Sequence, residues 1–286
     1  MPFKKKGDVF LRSESISPGW SFRNRNEKLT NNISTKVIEN AKSRGFTSIV
    51  FAIEVLYHQE VNAKSMKNDV KVHFEKIAPS YDSYKRKNWY YYKSVKNILA
   101  RFVPQNKTVL ELGCGTGDIL AHLNPYKGVG VDISPKMVAL ARRKHRGTNM
   151  KFIASDITTL RLTAHFDFII MVDVVEHLGD VKKSFAAIAR HMDKNTTLFS
   201  SMINPLWEPV FLAAEKLGLK MPEGPHRRIP FSLINTYLTD LGITVIRHDY
   251  QVLCPVYIPI LTDVLNSFVE PLLKPLCCIE YILANK

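Results

Sequence analysis

From Lys107 onward the apolar positions fall into short β-rich runs separated by stretches of helical period. The runs 108–112, 128–132, 151–154, 166–172 and 196–202 read as strands. A stretch ending near 123, then 135–145 and 180–192, read as helices. Strands alternating with helices predict a parallel sheet covered on both faces. A helical stretch at 206–219 and a polar loop at 220–230 precede helix 231–241 and strand 243–249. This insertion stands where a substrate-recognition element is expected. Pro alternates with Ile, Leu, Val and Phe over 257–276, and CIEYILA at 278–284 reads as a closing strand.

Upstream, Val72, Phe74, Ile77, Tyr81 and Tyr84, then Tyr90, Tyr91, Val95, Ile98 and Leu99, predict two helices broken near Ala78-Pro79-Ser80. They form a lid ahead of the core. The run 46–57 is apolar but too short for periodicity to separate strand from helix, and 1–45 is a polar, loosely docked extension. The expected organisation is an extension over 1–68 and one α/β domain over 69–286. That domain has a helical cap (69–102), an insertion (206–230) and an apolar tail with the closing strand (255–286).

Composition changes this picture little. An apolar fraction of 45% and a charged fraction of 23% are those of an ordinary globular protein. The net charge of +14 favours anionic partners such as nucleic acid or an acidic membrane. The basic clusters at Lys4–Lys6, Lys85–Lys87, Arg142–Lys144 and Arg227-Arg228 are scattered, however, and no binding stripe can be read from them. Cysteines at 114, 254, 277 and 278 make no Cys-x-x-Cys pair, which argues against a disulfide framework or structural zinc and for a reducing compartment. No apolar run approaches the roughly 20 residues that span a bilayer, and Met1 to Lys6 do not open a signal peptide, so a cytoplasmic location is expected.

The candidate chemistry starts at Val109-Leu110-Glu111-Leu112, a strand end followed by Gly113, Gly115 and Gly117. Glycines there permit positive φ and the close approach of a ligand. With Cys114 they form a loop that dinucleotide enzymes also use in a related spacing. A carboxylate two positions ahead of the loop suits a pyrophosphate poorly. It suits a zwitterion with an amino group and a sulfonium, which selects S-adenosylmethionine over NAD. Asp132, at the end of the next strand, is placed to accept from ribose hydroxyls. Asp156 is placed to accept from the adenine amino group, with Ile133, Met137 and Ile157 as ring contacts.

Residues 72–203 resemble the class I S-adenosylmethionine-dependent methyltransferases. The resemblance rests on VLELGCGTGDIL at 109–120, GVGVDISPKMVALAR at 128–142, FIASDI at 152–157 and FDFIIMVDVVEHLGD at 166–180. HFEKIAPSYDSY at 73–84 resembles the cap helix of small-molecule members. The resemblance implies a three-layer sandwich around a seven-stranded, mostly parallel sheet. Its last strand, here 278–284, is antiparallel and inserted between strands five and six.

The acceptor side rests on Asp173, Glu176 and His177 after the fourth strand. If the chain turns into a helix there, all three side chains can face one spot. Three readings stay open. His177 can be the general base for a hydroxyl acceptor. The trio can chelate a divalent cation, as in the ubiquinone-pathway O-methyltransferases, whose Glu-x-x-Glu-His it resembles with Asp in place of the first Glu. Or the segment is only a helix start and pocket wall. In the insertion, Pro222 to Arg228 either set His226 and an arginine over the acceptor or form a loop turn with solvated charges.

The Asn/Asp-Pro-Pro-Tyr/Phe pattern of amino-methylating members is missing after strand four, which counts against nucleic acid. The expected substrate is a small acceptor, lipophilic or lipid-linked, methylated at oxygen. A nucleic-acid enzyme and a non-catalytic module at a membrane are the alternatives. The tail 255–283 reads as packing on the core, and rest on an anionic membrane is its other reading.

Overall fold

The structure, a computed structural model, describes residues 63–286. The extension 1–45 and the apolar run 46–57 lie outside the described residues. The cap begins earlier than its pattern suggested and has three pieces: α1 (Ala63–Ile77), α2 (Tyr81–Lys87) and α3 (Trp89–Phe102). The break predicted at Ala78-Pro79-Ser80 is a 3-10 turn, and a second break falls at Asn88.

The core follows as β1 (Thr108–Leu112), α4 (Asp118–His122), β2 (Lys127–Asp132), α5 (Pro135–Lys144), β3 (Met150–Ala154), β4 (Phe168–Val172), α6 (Val181–Ala189) and β5 (Thr197–Ile203). Then come α7 (Glu208–Lys216) in the insertion, α8 (Phe231–Asp240), β6 (Thr244–Gln251) and β7 (Ile279–Asn285). The sheet has seven strands in the order β3-β2-β1-β4-β5-β7-β6. All pairs are parallel except those of β7, which runs antiparallel to β5 and to β6.

The side-chain period of two explains the layers. Leu110, Leu112, Ile169, Met171 and Leu198 face one side, where they pack with Phe185 and Ile188 of α6 and Ile234 and Leu238 of α8. Val109, Ile170 and Phe199 face the other, against Val95, Ile98 and Leu99 of α3, Ile119 and Leu120 of α4 and Val138 of α5. Strands buried on both faces need apolar runs, which β4 supplies as FIIMV and β5 as TLFSSMI, broken only by the small buried Ser200 and Ser201 after Thr197. Helix starts are fixed locally. Ser134 accepts from the Met137 N–H with Pro135 in the first turn, and Asp180 accepts from the Lys183 N–H. Strand order reverses between β1 and β4, and a crevice opens outside their carboxyl ends. Ligands bind at this point in open α/β sheets.

The closing strand of the tail lies in the core, with Ile279, Tyr281 and Ile282 fully buried, but the stretch before it does not pack as its hydrophobicity suggests. Ile260, Phe268 and Leu272 are 78%, 74% and 82% exposed. Its polar groups point inward instead. Thr262 is fully buried and its hydroxyl donates to the Val256 carbonyl at 2.7 Å. Asn266 accepts from the Cys254 N–H at 2.8 Å, and Glu270 from the Val252 N–H at 2.9 Å. Hydrogen bonds hold the segment, and its apolar side is left facing out.

Candidate active site

The crevice is a cleft of about 710 Å³, within the ~300–1,000 Å³ of ligand sites. Its inner end is built on β1 and β2. Glu111 is buried, and its Oε2 accepts from the Leu120 N–H at 3.1 Å. Burial pushes its carboxyl up to about 8, against the pull of Lys85. Asp132 uses both oxygens on the backbone, accepting from Gly115 N–H and Ser134 N–H at 2.8 Å each. Burial raises this carboxyl too, while the two N–H bonds draw it down. Those bonds fix the carboxylate and the glycine turn together.

Gly113 has φ of 73°, and a Cβ there would sit 2.3 Å from Val174. At Gly115 a Cβ would come within 3.1 Å of the Tyr81 ring from the cap. The glycine at 113 is therefore demanded by protein packing as well as by φ. Both Val174 and Tyr81, the side chains that the two glycines abut, also line the cleft.

Asp156 caps a 3-10 turn and pairs with Lys67 of α1 at 2.6 Å. Although burial opposes it, the bonds from Lys67 and Thr158 keep its carboxyl below the usual range. Glu111, Gly113, Cys114, Gly115, Asp132, Ile133, Asp156, Ile157 and Asp173 all line the cleft. Two of the expected cofactor contacts do not. Gly117 turns into α4 against Phe152 and His145. Met137 is fully buried beneath the cap with Ile77 and Ala78, because the α5 period carries it away from the strand ends.

At the outer end, Asp173 adopts φ of 54° at the tip of β4. Its carboxylate accepts from the Tyr91 hydroxyl at 2.8 Å and from the Ser201 hydroxyl at 3.2 Å. Glu176 is buried. One oxygen faces Arg228 at 3.4 Å and the other, Oε2, has no hydrogen-bond partner. Burial first, and Asp173 next, push its carboxyl up to about 8. His177 presents Nδ1 to the Pro225 carbonyl at 2.9 Å. A carbonyl can only accept, so Nδ1 carries the proton and Nε2 keeps its lone pair. Burial drives the imidazole down to about 4.

Asp173, Glu176 and His177 thus turn to three different partners, Tyr91, Arg228 and the Pro225 carbonyl. The one group of potential ligands that converges among the described residues is Glu208, Glu223 and His226. There the Arg228 guanidinium already sits 2.5 Å from Glu208 and 2.8 Å from Glu223. His226, expected over the acceptor, is instead bound to Glu208 at 2.8 Å, with its ring 6.2 Å from that of His177. It is not among the side chains lining the cleft.

Several lining residues carry no motif. Tyr81, Lys85, Tyr91 and Tyr92 come from the cap, and Trp207, Val210, Phe211, Lys220 and Met221 from the insertion. The tyrosine run 90–92 was the one visible hint. Although the chain carries +14, the cleft is lined by more carboxyls than cations: Glu111, Asp132, Asp156, Asp173, Glu176, Asp180 and Glu223 against Lys67, Lys85, Lys183 and Lys220. At the inner end the oxygens of Glu111, Asp132 and Asp156 are acceptors whose spread fits the amino, ribose and adenine groups of S-adenosylmethionine.

Comparison with known proteins agrees with this geometry. A family described as methyltransferase domain matches residues 109–195. Over these residues the chain carries a methyltransferase domain. The chain is 28% identical over 153 residues to a malonyl-[acyl-carrier protein] O-methyltransferase of Bacillus cytotoxicus, covering 50% of this chain and 53% of that protein. It is 26% identical over 147 residues to a ubiquinone biosynthesis O-methyltransferase of Rickettsia canadensis, covering 48% and 62%. The match thus spans little more than half of either relative.

Among solved structures, an S-adenosylmethionine-dependent methyltransferase of Thermotoga maritima aligns with a TM-score of 0.58 at 17% identity, over 76% of this chain and 99% of that one. A Haloferax volcanii putative methyltransferase, solved with the Trm112 methyltransferase activator, aligns at 0.57 and 19% identity over 74% and 96%. Both likenesses establish the fold of the methyltransferase domain and its surroundings.

Proposed function

We propose that the protein transfers a methyl group from S-adenosylmethionine to an oxygen of a small lipophilic acceptor. The observation that carries the oxygen assignment is the fixed His177 tautomer, with its protonated Nδ1 on the Pro225 carbonyl and Nε2 unprotonated. Glu111 would hold the amino group, Asp132 the ribose hydroxyls and Asp156 the adenine amino group, with Ile133 and Ile157 against the ring. When bound, S-adenosylmethionine supplies an electrophilic methyl on a sulfonium.

This chain's residues do the rest. The cap and the insertion enclose the acceptor, and holding two reactants in near-attack geometry lowers a barrier by up to ~7–11 kcal/mol. His177 Nε2 takes the proton of the acceptor hydroxyl. With its pKa near 4 it is a weak base, which matches the acidity of a phenol-like hydroxyl better than that of an alcohol. The neutral Glu176 carboxyl, with Oε2 unpartnered, is able to donate to a second oxygen of the acceptor. Phe74, Val210, Phe211 and Val256 supply apolar walls. A carboxylate acceptor would need no base and would meet a cleft already rich in carboxyls. The two O-methyltransferase relatives support transfer to oxygen in this chain.

The test is mass spectrometry of a lipid extract and an aqueous extract incubated with the protein and isotopically labelled donor. Label in an organic-soluble methyl ether is expected. Label in nucleic acid, or in no species at all, would remove the reading.

A further inference from the structure

The mouth of the cleft is greasy and faces outward. Leu219 and Val256, both lining the cleft, are 65% and 62% exposed. From Val256 the apolar surface continues along the tail to Phe268 and Leu272, whose inward side is pinned by Thr262, Asn266 and Glu270. Contiguous exposed apolar surface of this kind marks a contact site. It belongs to no helix long and apolar enough to cross a membrane among the described residues.

A second observation says what meets it. The tail abuts the start of α3, where Trp89 lies 5.3 Å from Tyr257 and the Tyr90 hydroxyl accepts from Asn266 at 3.1 Å. Trp89 shares a surface groove of about 380 Å³ with Arg86, Lys93 and Lys96. The two carboxylates of that groove, Asp82 and Asp118, are taken by Lys144, which pairs with both at 2.8 and 2.5 Å, and by Lys85 at 3.6 Å. Arg86, Lys93 and Lys96 have no carboxylate partner among the described residues. Lys85 and Tyr92 line both the groove and the cleft, the groove lying behind the cleft wall beside Glu111, while Trp89 and Tyr257 join the ridge to the tail at the mouth.

We propose that this surface docks on an anionic bilayer. The apolar side of the tail and the insertion enters the acyl boundary, Trp89 and Tyr257 sit at headgroup level, and Arg86, Lys93 and Lys96 meet the phosphates. The cleft then opens toward the lipid, and an apolar acceptor enters without crossing water. The acceptor part of this inference rests on the reading of the cleft given above. The docking does not, and it is measured without an acceptor.

The full chain is sedimented with phosphatidylglycerol vesicles and with phosphatidylcholine vesicles, and S-adenosylhomocysteine affinity is measured in parallel. Binding to the anionic vesicles should exceed binding to the neutral ones by roughly tenfold or more. The double variant Phe268→Glu, Leu272→Glu should lose most of that binding, since two apolar side chains no longer enter the acyl region. Lys93→Glu with Lys96→Glu should abolish the preference for anionic lipid. Cofactor-product affinity should be unchanged in both variants, which shows that they fold. Vesicle binding insensitive to either variant would place the contact in residues 1–62 and overturn the proposal. A dimer that dissociates in the Phe268→Glu, Leu272→Glu variant, with no vesicle binding, would assign the surface to a second copy and overturn it as well. Loss of methyl transfer alone, with docking intact, would count only against the acceptor reading.

Discussion

The two ends of the cleft are built in opposite ways. At the inner end, short-range backbone geometry does the work. Asp132 is locked by two N–H donors from Gly115 and Ser134, and Glu111 lies nine residues from the Leu120 N–H it accepts. At the outer end, nothing is local. His177 is set by Pro225 across 48 positions, Asp173 by Tyr91 across 82, and Glu176 by Arg228 across 52. A donor site shared by many enzymes can be carried in one strand–turn–helix unit. An acceptor site particular to one enzyme is assembled by the cap and the insertion, which are free to vary on a constant sheet.

Substitutions should separate the two ends, beginning with the largest effect. His177→Ala is expected to lower turnover by about 10²-fold or more, with S-adenosylhomocysteine affinity by calorimetry unchanged; undiminished turnover would leave His177 as pocket wall. Asp132→Ala should weaken that affinity by ~1.5–3 kcal/mol, the worth of a charge-assisted hydrogen bond. Calorimetry showing no loss would mean that the ribose is held elsewhere.

Glu111→Gln should have a smaller effect that depends on pH. The buried carboxyl, raised from 4.5 to about 8, is largely neutral at pH 7. A cationic ligand favours its ionised form, so binding releases protons and wild-type affinity should fall as the pH drops below about 8. The glutamine variant should show a flatter profile in the same titrations. Folding stability moves the other way. A carboxyl whose folded pKa is raised contributes stability that is full below 4.5 and is lost as pH rises through about 8. Thermal denaturation should therefore find Glu111→Gln more stable than wild type at alkaline pH and equal to it near pH 4. Tyr91→Phe, which removes one donor to Asp173, should change acceptor KM by only a few-fold, on the order of ~1 kcal/mol, with donor affinity unmoved.

The same contrast explains what could be read from the residues alone. The strand–helix alternation and the carboxylates at 111, 132 and 156, each at or just after a strand end, are legible because they depend on local pattern, whereas the antiparallel insertion of β7, which pairs across 88 positions at Thr197 and Asn285, is legible only through the family resemblance. Met137 follows Asp132 closely in sequence, but the period of α5 turns it under the cap with Ile77 and Ala78. His226 finds its partner in Glu208, 18 positions away at the start of the insertion, which its own neighbours do not reveal.

In the tail the number of apolar residues points to burial, but the placing of the polar ones decides which side faces in. Thr262, Asn266 and Glu270 recur every fourth position and make the inward side, so the apolar side faces out. That spacing is present in the sequence and is the signal that separates the two sides. The rest of the outer wall, drawn from Val210, Phe211 and Val256, leaves no comparable trace.

The central claim is that the acceptor end works through an imidazole that burial holds neutral. Turnover at saturating donor, followed against pH once an acceptor is in hand, tests it most directly, because kcat reports the groups of the bound complex. The account predicts a rate that stays level down to about pH 5 and declines only toward the His177 pKa of about 4. A rate that halves near the ordinary histidine value of 6.5, in an enzyme that stays folded there, would contradict it.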